Sequence, residues 1–192
     1  MGKLITSTFV SLDNMMVAEN EDMSWVIDNF DMEMGQDMSA EVMASMQAIL
    51  LGRTTYEIMV KHWPTVTGAE DPGADEMNLT PKIVFSTTLG KAEWGKYNNA
   101  TVYKEIKPAQ IEQLKKQSGK PLVLMGSASI VQQLTALGLI DEYVLWLHPV
   151  ILGRGTPLFS NIADRQKLQL ISAKTYKNGV MKLNLAPNNK KV

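Results

Sequence analysis

The sequence predicts an α/β domain built on a mixed, mostly parallel sheet, with helices on both faces and an antiparallel hairpin near the C-terminal end. Three observations carry this. Apolar runs of four to seven residues alternate with segments of helical periodicity, the pattern of parallel strands joined by helical crossovers. Two of those runs, Ala48-Ile49-Leu50-Leu51 and Leu122-Val123-Leu124-Met125, lead directly into a small-residue turn and an amphipathic helix. Late in the chain, Lys177-Asn178-Gly179 separates two alternating segments, a hairpin signal of the primed-turn kind, and a hairpin cannot belong to an all-parallel sheet.

The elements follow in order. Strands are expected at 4–10, 48–51, 82–86, 101–103, 122–125, 142–148, 168–176 and 180–186. Between the first two, Ile27, Phe30 and Met34 recur at helical spacing and predict a helix over 24–35. A further helix is expected to start at Ser39, burying Val42, Met43 and Met46. Helices also fit 54–62, 108–117 and 127–137. Thr54-Thr55-Tyr56-Glu57 has the spacing of a capping box, and Gly138 stands where a left-handed helix stop is expected. The stretch 64–81, with Gly68, Pro72, Gly73, Pro81 and several acids, reads as a surface loop, because strand-like sequence resumes at once.

At 192 residues the chain suits a single domain over 1–192 with a full core. A net charge of -1 and a pI near 6.1 give no footprint for phosphate-backbone binding, so nucleic acid is not expected as a partner. No cysteine is present, which removes disulfides and thiolate chemistry and suits a cytoplasmic setting. The two histidines, His62 and His148, lie far apart in sequence, so no metal site is expected. No run of about 18 apolar residues suggests a membrane span, and the first residues lead into a strand-like segment rather than a leader.

Two strand-to-helix junctions draw attention. In Leu51-Gly52-Arg53-Thr54-Thr55 a buried strand ends, a glycine lets the chain turn closely, and a helix begins. Helix N-termini present unpaired N–H groups and partial positive charge, so they attract phosphate, and Arg53 adds a fork of donors shaped for a phosphate monoester. A structural turn with a solvated arginine is the competing reading. In Met125-Gly126-Ser127-Ala128-Ser129 the small residues leave N–H groups uncovered, which suits a pyrophosphate; a serine capping its own helix is the plainer explanation. Between the junctions, the strand ending in Ser86, Thr87 and Thr88 offers hydroxyls for a ribose or an adenine edge. A GxGxxG fingerprint is missing, because Gly153-Arg154-Gly155 supplies only its first pair and no helical pattern follows; that segment reads as a loop.

These segments together resemble a known family. The junction Gly52-Arg53-Thr54-Thr55, the strand end Phe85-Ser86-Thr87 and the turn Met125-Gly126-Ser127-Ala128 resemble the cofactor side of dihydrofolate reductases. Phe9-Val10-Ser11-Leu12-Asp13 and the PVILGRGTPLF segment at 149–159 resemble the C-terminal reductase domain of bifunctional riboflavin-biosynthesis proteins, and stand-alone bacterial proteins of that type are similar over about 4–186. The resemblance implies a three-layer dihydrofolate reductase-like fold, NADPH as hydride donor and a homodimer. Carried over by motif, Gly52, Arg53, Thr54 and Thr55 would hold the adenosine-side phosphates, Ser86 and Thr87 would sit by the 2′-phosphoribose, and Gly126, Ser127, Ala128 and Ser129 would lie under the pyrophosphate. Where the riboflavin-pathway reductases tend to carry an Arg and an Asp-Ala pair, this chain has Met46-Gln47-Ala48, and Asn14 replaces their usual glycine.

The acceptor side is less defined. Dihydrofolate reductases place a carboxylate on the first helix, and this chain offers Asp28, Asp31 and Glu33 there without a flanking match. Asp31, near the buried Phe30 and Met34, is the expected catalytic acid, with Asp13 at a strand end as its competitor; a solvated surface acid is the other reading of Asp31, and a cap for the following turn that of Asp13. Trp25 is a candidate to stack on a heterocycle, and core filling is its bland alternative. Met15, Met16, Met23, Met32, Met34, Met38, Met43, Met46 and Met59 crowd the first third, where core filling is favoured over a role in an adaptable pocket. A structural hydrogen bond is expected of His148. Of Tyr143 and Trp146, on opposite strand faces, one is expected to meet solvent or a second subunit. The function expected is reduction of a small heterocyclic substrate by NADPH, dihydrofolate or the ribosylaminopyrimidine of riboflavin synthesis being the acceptors considered. A non-catalytic nucleotide-binding or sensor protein on the same scaffold is the alternative.

Overall fold

The computed structural model describes residues 1–71 and 73–188; Pro72, one of the residues that marked the loop at 64–81, lies outside them. Ten strands are described: β1 (Leu4–Ser11), β2 (Met15–Ala18), β3 (Ala48–Gly52), β4 (Lys82–Phe85), β5 (Ala100–Tyr103), β6 (Leu122–Met125), β7 (Glu142–His148), β8 (Gly155–Pro157), β9 (Leu168–Thr175) and β10 (Met181–Pro187). Six helices accompany them: α1 (Ser24–Ile27), α2 (Met32–Met38), α3 (Arg53–His62), α4 (Ala74–Leu79), α5 (Pro108–Ser118) and α6 (Ala128–Ala136). Eight strands form one sheet in the order β5-β4-β3-β6-β1-β7-β10-β9. The first six of that order pair in parallel, and β10 runs antiparallel to both β7 and β9. The mixed sheet closed by a hairpin is thus the architecture the sequence implied.

Every residue of β3, β4 and β6 is buried, as parallel strands covered on both faces require. Alternation along each strand feeds two cores. Leu50, Ile83, Leu122 and Leu124 pack with Ile111 and Leu114 of α5 and Ile130, Val131 and Leu134 of α6. Ile49, Leu51, Val84 and Val123 pack on the other face with Met34, Tyr56, Met77 and Trp94. Tyr143 and Trp146 do face opposite sides, yet both are buried. Tyr143 donates a hydrogen bond to Thr135 at 3.0 Å, and Trp146 stacks on Tyr176. Neither meets solvent, because each face of β7 is covered by a core: Tyr143 packs in one cluster and Trp146 in the other. β7 lies inside the sheet, between β1 and β10; the sheet ends at β5 and at β9, and on β9 Leu168, Leu170 and Ile171 are exposed.

Several local expectations need correction. The single helix over 24–35 is broken in two. Asp31 has extended backbone angles, and its carboxylate accepts the N–H groups of Glu33 and Met34, capping α2. That cap competes with helix continuation, and it leaves Ile27 and Phe30 exposed rather than buried. A helical segment does start at Ser39, as a π-helical turn (Ser39–Met43) that continues α2; it buries Val42 and Met43, and Met46 is buried just beyond it. Thr54 and Glu57 form no capping box, because α3 begins one residue earlier with Gly52 as N-cap, and Glu57 is taken by Arg53. The stretch 64–81 contains α4, anchored by buried Met77 and by Asn78, whose amide oxygen accepts the indole N–H of Trp94 at 2.9 Å. The hairpin turn is not of the primed kind: only Gly179 has positive φ, and its N–H bonds Tyr176 O at 3.0 Å, so a type I-like turn ends in a glycine bulge. Gly155 is not loop but the start of β8, which pairs with β2.

Candidate functional site

β3, β4, β5 and β6 all end on one cleft of about 1670 Å³. Two helices that follow directly on strands of the sheet begin on it, and Met32 at the start of α2 and Gly73 at the start of α4 border it as well. α3 starts after Gly52 and α6 after Ser127, and neither start is capped by a side chain of its own. The first N–H groups of each helix have no intrahelical acceptor, and each start carries roughly half a positive charge. Ser127 joins the two: its hydroxyl accepts the buried N–H of Gly52 at 2.7 Å and donates to Oγ1 of Thr55 at 2.8 Å. Ser127 therefore does not cap its own helix. Consecutive positive φ angles at Gly126 (57°) and Ser127 (64°) set this turn, and a non-glycine residue there is costly enough to signal a backbone held in place for use. A side chain on Gly126 would meet Cγ2 of Thr55 at 3.1 Å, so the two helix starts pack as closely as a glycine permits.

All ten residues assigned to the cofactor by motif, Gly52 to Thr55, Ser86, Thr87 and Gly126 to Ser129, border this cleft. Arg53 contacts both carboxylate oxygens of Glu57 through one nitrogen, Nη1, at 3.0 and 3.1 Å, which leaves the rest of its donor fork outside that pair. The Ser86 hydroxyl accepts the N–H groups of Leu89 (2.9 Å) and Thr88 (3.3 Å), holding the loop after β4 while Thr87 and Thr88 stay exposed.

The acceptor-side candidates lie elsewhere. Asp31 does not border the cleft, and its carboxylate is engaged as the α2 cap. Asp13 does not border it either. Its carboxylate accepts the Ser11 hydroxyl at 2.6 Å, Gly153 N–H at 2.7 Å and Leu152 N–H at 3.1 Å. The Ser11 bond first, then the Gly153 and Leu152 amides, hold its pKa down at about 2, so it stays ionised and cannot deliver a proton near neutral pH. Trp25 is outside the cleft too; it packs edge-on against His148, ring centroids 5.0 Å apart. His148 makes no hydrogen bond at either ring nitrogen, contrary to expectation. Burial pushes its pKa down to about 4, so it sits neutral between Phe9 and Trp25. Among the described residues no group of acidic or histidine side chains could hold a metal.

Comparison with known proteins decides the lineage. The family model described as the RibD C-terminal domain matches residues 2–182. The chain belongs to the RibD C-terminal domain family. The uncharacterized protein YyaP of Bacillus subtilis (strain 168) is 29% identical over 186 residues, covering 94% of this chain and 93% of that protein. The crystal structure of a Shewanella sp. PV-4 protein named for riboflavin biosynthesis superimposes with a TM-score of 0.80 at 16% identity, over 97% of this chain and 99% of that one. A diaminohydroxyphosphoribosylaminopyrimidine deaminase/5-amino-6-(5-phosphoribosylamino)uracil reductase of Thermotoga maritima gives a TM-score of 0.65 at 13% identity, over 97% of this chain and 56% of that longer one. The structural likenesses show the shared fold.

Within this RibD-type domain the cleft also gains residues that sequence reading passed over. Lys104, Glu105 and Ile106 follow β5 and border the cleft, and Nζ of Lys104 donates to Leu89 O at 2.6 Å. They stand, like Ser86, at the carboxyl end of a parallel strand, where ligands gather in open α/β sheets. Ser39, Ala40 and Trp63 had no such signal, because a π-turn and a helix end bring them in. Of the methionines in the first third, Met34 and Met46 fill core alone, Met16 and Met43 are buried in the core and also border the cleft, Met23, Met32, Met38 and Met59 border it, and Met15 does neither.

Proposed function

We propose that this chain is an NADPH-dependent reductase of a small heterocycle, working in the cytoplasm. The observation that carries the reading is the meeting of two uncapped helix starts in one cleft, tied by Ser127 to Gly52 and Thr55. The fit is chemical: free N–H groups and helix charge at Ala128 and Ser129 suit a diphosphate, and Arg53 and Thr54 at the start of α3 suit a phosphate monoester. When bound, NADPH supplies a hydride to a C=N or C=O carbon, and the heteroatom takes a proton. The residues of this chain orient the two partners and limit water. Glu21, Glu70 and Asp71 are the acids on the acceptor half, and water admitted past them is the proton source we favour. No helix among the described residues is long and apolar enough to cross a membrane.

The test is titration of NADPH and NADH by calorimetry, followed by NADPH oxidation with a panel of heterocycles. Tight NADPH binding with turnover of one acceptor supports the reading. Binding without turnover of any acceptor favours a sensor, and absence of binding ends the proposal. We also propose a homodimer, paired through β9, whose exposed Leu168, Leu170 and Ile171 are the apolar edge a second copy would cover. Light scattering of the intact chain and of Leu170→Lys checks it: a dimer that the substitution splits is expected, and a wild-type monomer contradicts it.

A further inference from the structure

We infer that the acceptor taken by this cleft carries no anionic group: it is an apolar heterocycle, neutral or cationic. The inference rests on the NADPH reading of the other half. Among the described residues bordering the cleft, the only cations are Arg53 and Lys104, and no histidine is present. Both cations belong to the dinucleotide half. Arg53 opens α3 beside the Ser127 tie, and Lys104 follows β5, at the edge of the sheet away from α1 and α2.

The acceptor half, under α1, α2 and the π-turn, has a different character. Ile27, Phe30 and Met32 stand exposed on its rim, and Met38, Met43 and Met59 line it further in. Its charged residues are Glu21, Glu70 and Asp71. The lysines that reach α2 and the π-turn are already engaged. Lys174 bonds Glu33 at 2.8 Å and Asp37 at 2.7 Å, and Lys182 bonds Glu41 at 2.6 Å.

A phosphate or carboxylate placed there would lose its hydration without gaining a charged donor, and the three acids would repel it. A flat apolar ring gains contact with polarizable thioethers and a phenyl face. The acceptors named by family resemblance, dihydrofolate with its carboxylate tail and a phosphorylated ribosylaminopyrimidine, both fit this half poorly. An uncharged ring of similar size fits it well.

A matched pair of probes tests this on the intact chain saturated with NADP+, by calorimetry: 6-methylpterin and pterin-6-carboxylate, the same ring without and with one negative charge. The expected result is at least tenfold tighter binding of the neutral probe. Gln36→Arg and Ala40→Arg, at two exposed positions on the acceptor half, are each expected to shrink that ratio at least tenfold. Equal or tighter binding of the carboxylate by wild type overturns the inference. So does an unchanged ratio in both arginine variants, or no binding of either probe up to millimolar while NADP+ binds. If NADP+ itself does not bind, the cofactor reading fails by that result alone, and the probe ratio on the free chain still decides the acceptor class.

Discussion

The Ser127 hydroxyl donates to Oγ1 of Thr55 across 2.8 Å while accepting the N–H of Gly52 at 2.7 Å, so a single side chain fixes the start of one helix against the start of another. Residues 72 positions apart in sequence are thereby held at one point of the cleft. Ser127→Gly removes the hydroxyl and leaves a buried N–H unpaired, a cost of about 1–3 kcal/mol. Glycine relieves the positive φ at this position and offsets about 1 kcal/mol of that. The expected outcome is a modestly lower urea midpoint with at least tenfold weaker NADPH binding. Thr55→Val, which removes only the acceptor, should cost less than Ser127→Gly in both measurements. Unchanged NADPH affinity in Ser127→Gly would show that the tie does not organise the site.

Arg53 and Glu57 form an exposed pair one helical turn apart, so breaking it should change stability by no more than about 0.5 kcal/mol. Its effect on cofactor choice should be larger. Arg53→Ala is expected to cut the preference for NADPH over NADH tenfold or more, because a charge-assisted bond to the 2′-phosphate is worth about 1.5–3 kcal/mol. Glu57→Gln frees the guanidinium and is expected to tighten NADPH binding without altering NADH. Parallel titrations of both cofactors against both variants check this. Equal cofactor affinities throughout would remove Arg53 from the site.

The carboxylates of Asp13 and Asp31 are expected to act on stability and not on turnover. Asp31→Ala removes the α2 cap, worth about 1 kcal/mol, whereas Asp31→Asn caps nearly as well and should be close to neutral. Asp13→Asn loses the acceptor geometry that holds Leu152 and Gly153 and should lower the melting temperature. Once an acceptor is identified, kcat of both Asn variants should stay within about threefold of wild type, far below the loss of a hundredfold or more typical when an acid catalyst is removed. A hundredfold drop in either would return that carboxylate to the mechanism.

His148 gives a pH dependence whose sign can be worked out. Its pKa falls from an ordinary 6.5 to about 4 in the folded chain, with burial as the cause. Between those values the unfolded chain binds more protons than the folded one, so stability rises with pH across the window and falls as pH drops from 6.5 to 4. Above 6.5 this group has no effect on the slope. His148→Phe keeps an aromatic ring against Phe9 and Trp25 and should flatten the decline. Melting temperatures at pH 7.5 and pH 5.0 check this. A variant that loses as much as wild type over that interval would assign the slope to other groups.

The sequence by itself determined the sheet and the two strand-to-helix junctions that border the cleft. Strand periodicity, the buried runs of β3 and β6 and the small residues after them are local signals, and each lies within one strand-to-helix junction. Physical adjacency along the chain makes such signals readable, which is why Gly52 to Thr55 and Gly126 to Ser129 were legible without coordinates. Tertiary structure decided the rest, because the deciding partner was remote in sequence. Ser127 reads as a cap for its own helix until Gly52 and Thr55 arrive beside it. Asp13 reads as a free strand-end acid until Leu152 and Gly153 close on it, 139 and 140 residues away. Lys82, which begins β4, is buried over the Trp94 ring with its ammonium donating to Asn78 O at 2.8 Å, a contact no local signal marks. Local propensity also overstated continuity over 24–35, where the competing bond is a side-chain cap at Asp31. The polarity of the cleft under α1 and α2 was the least legible feature, since it depends on which lysines the sheet and α2 have already paired.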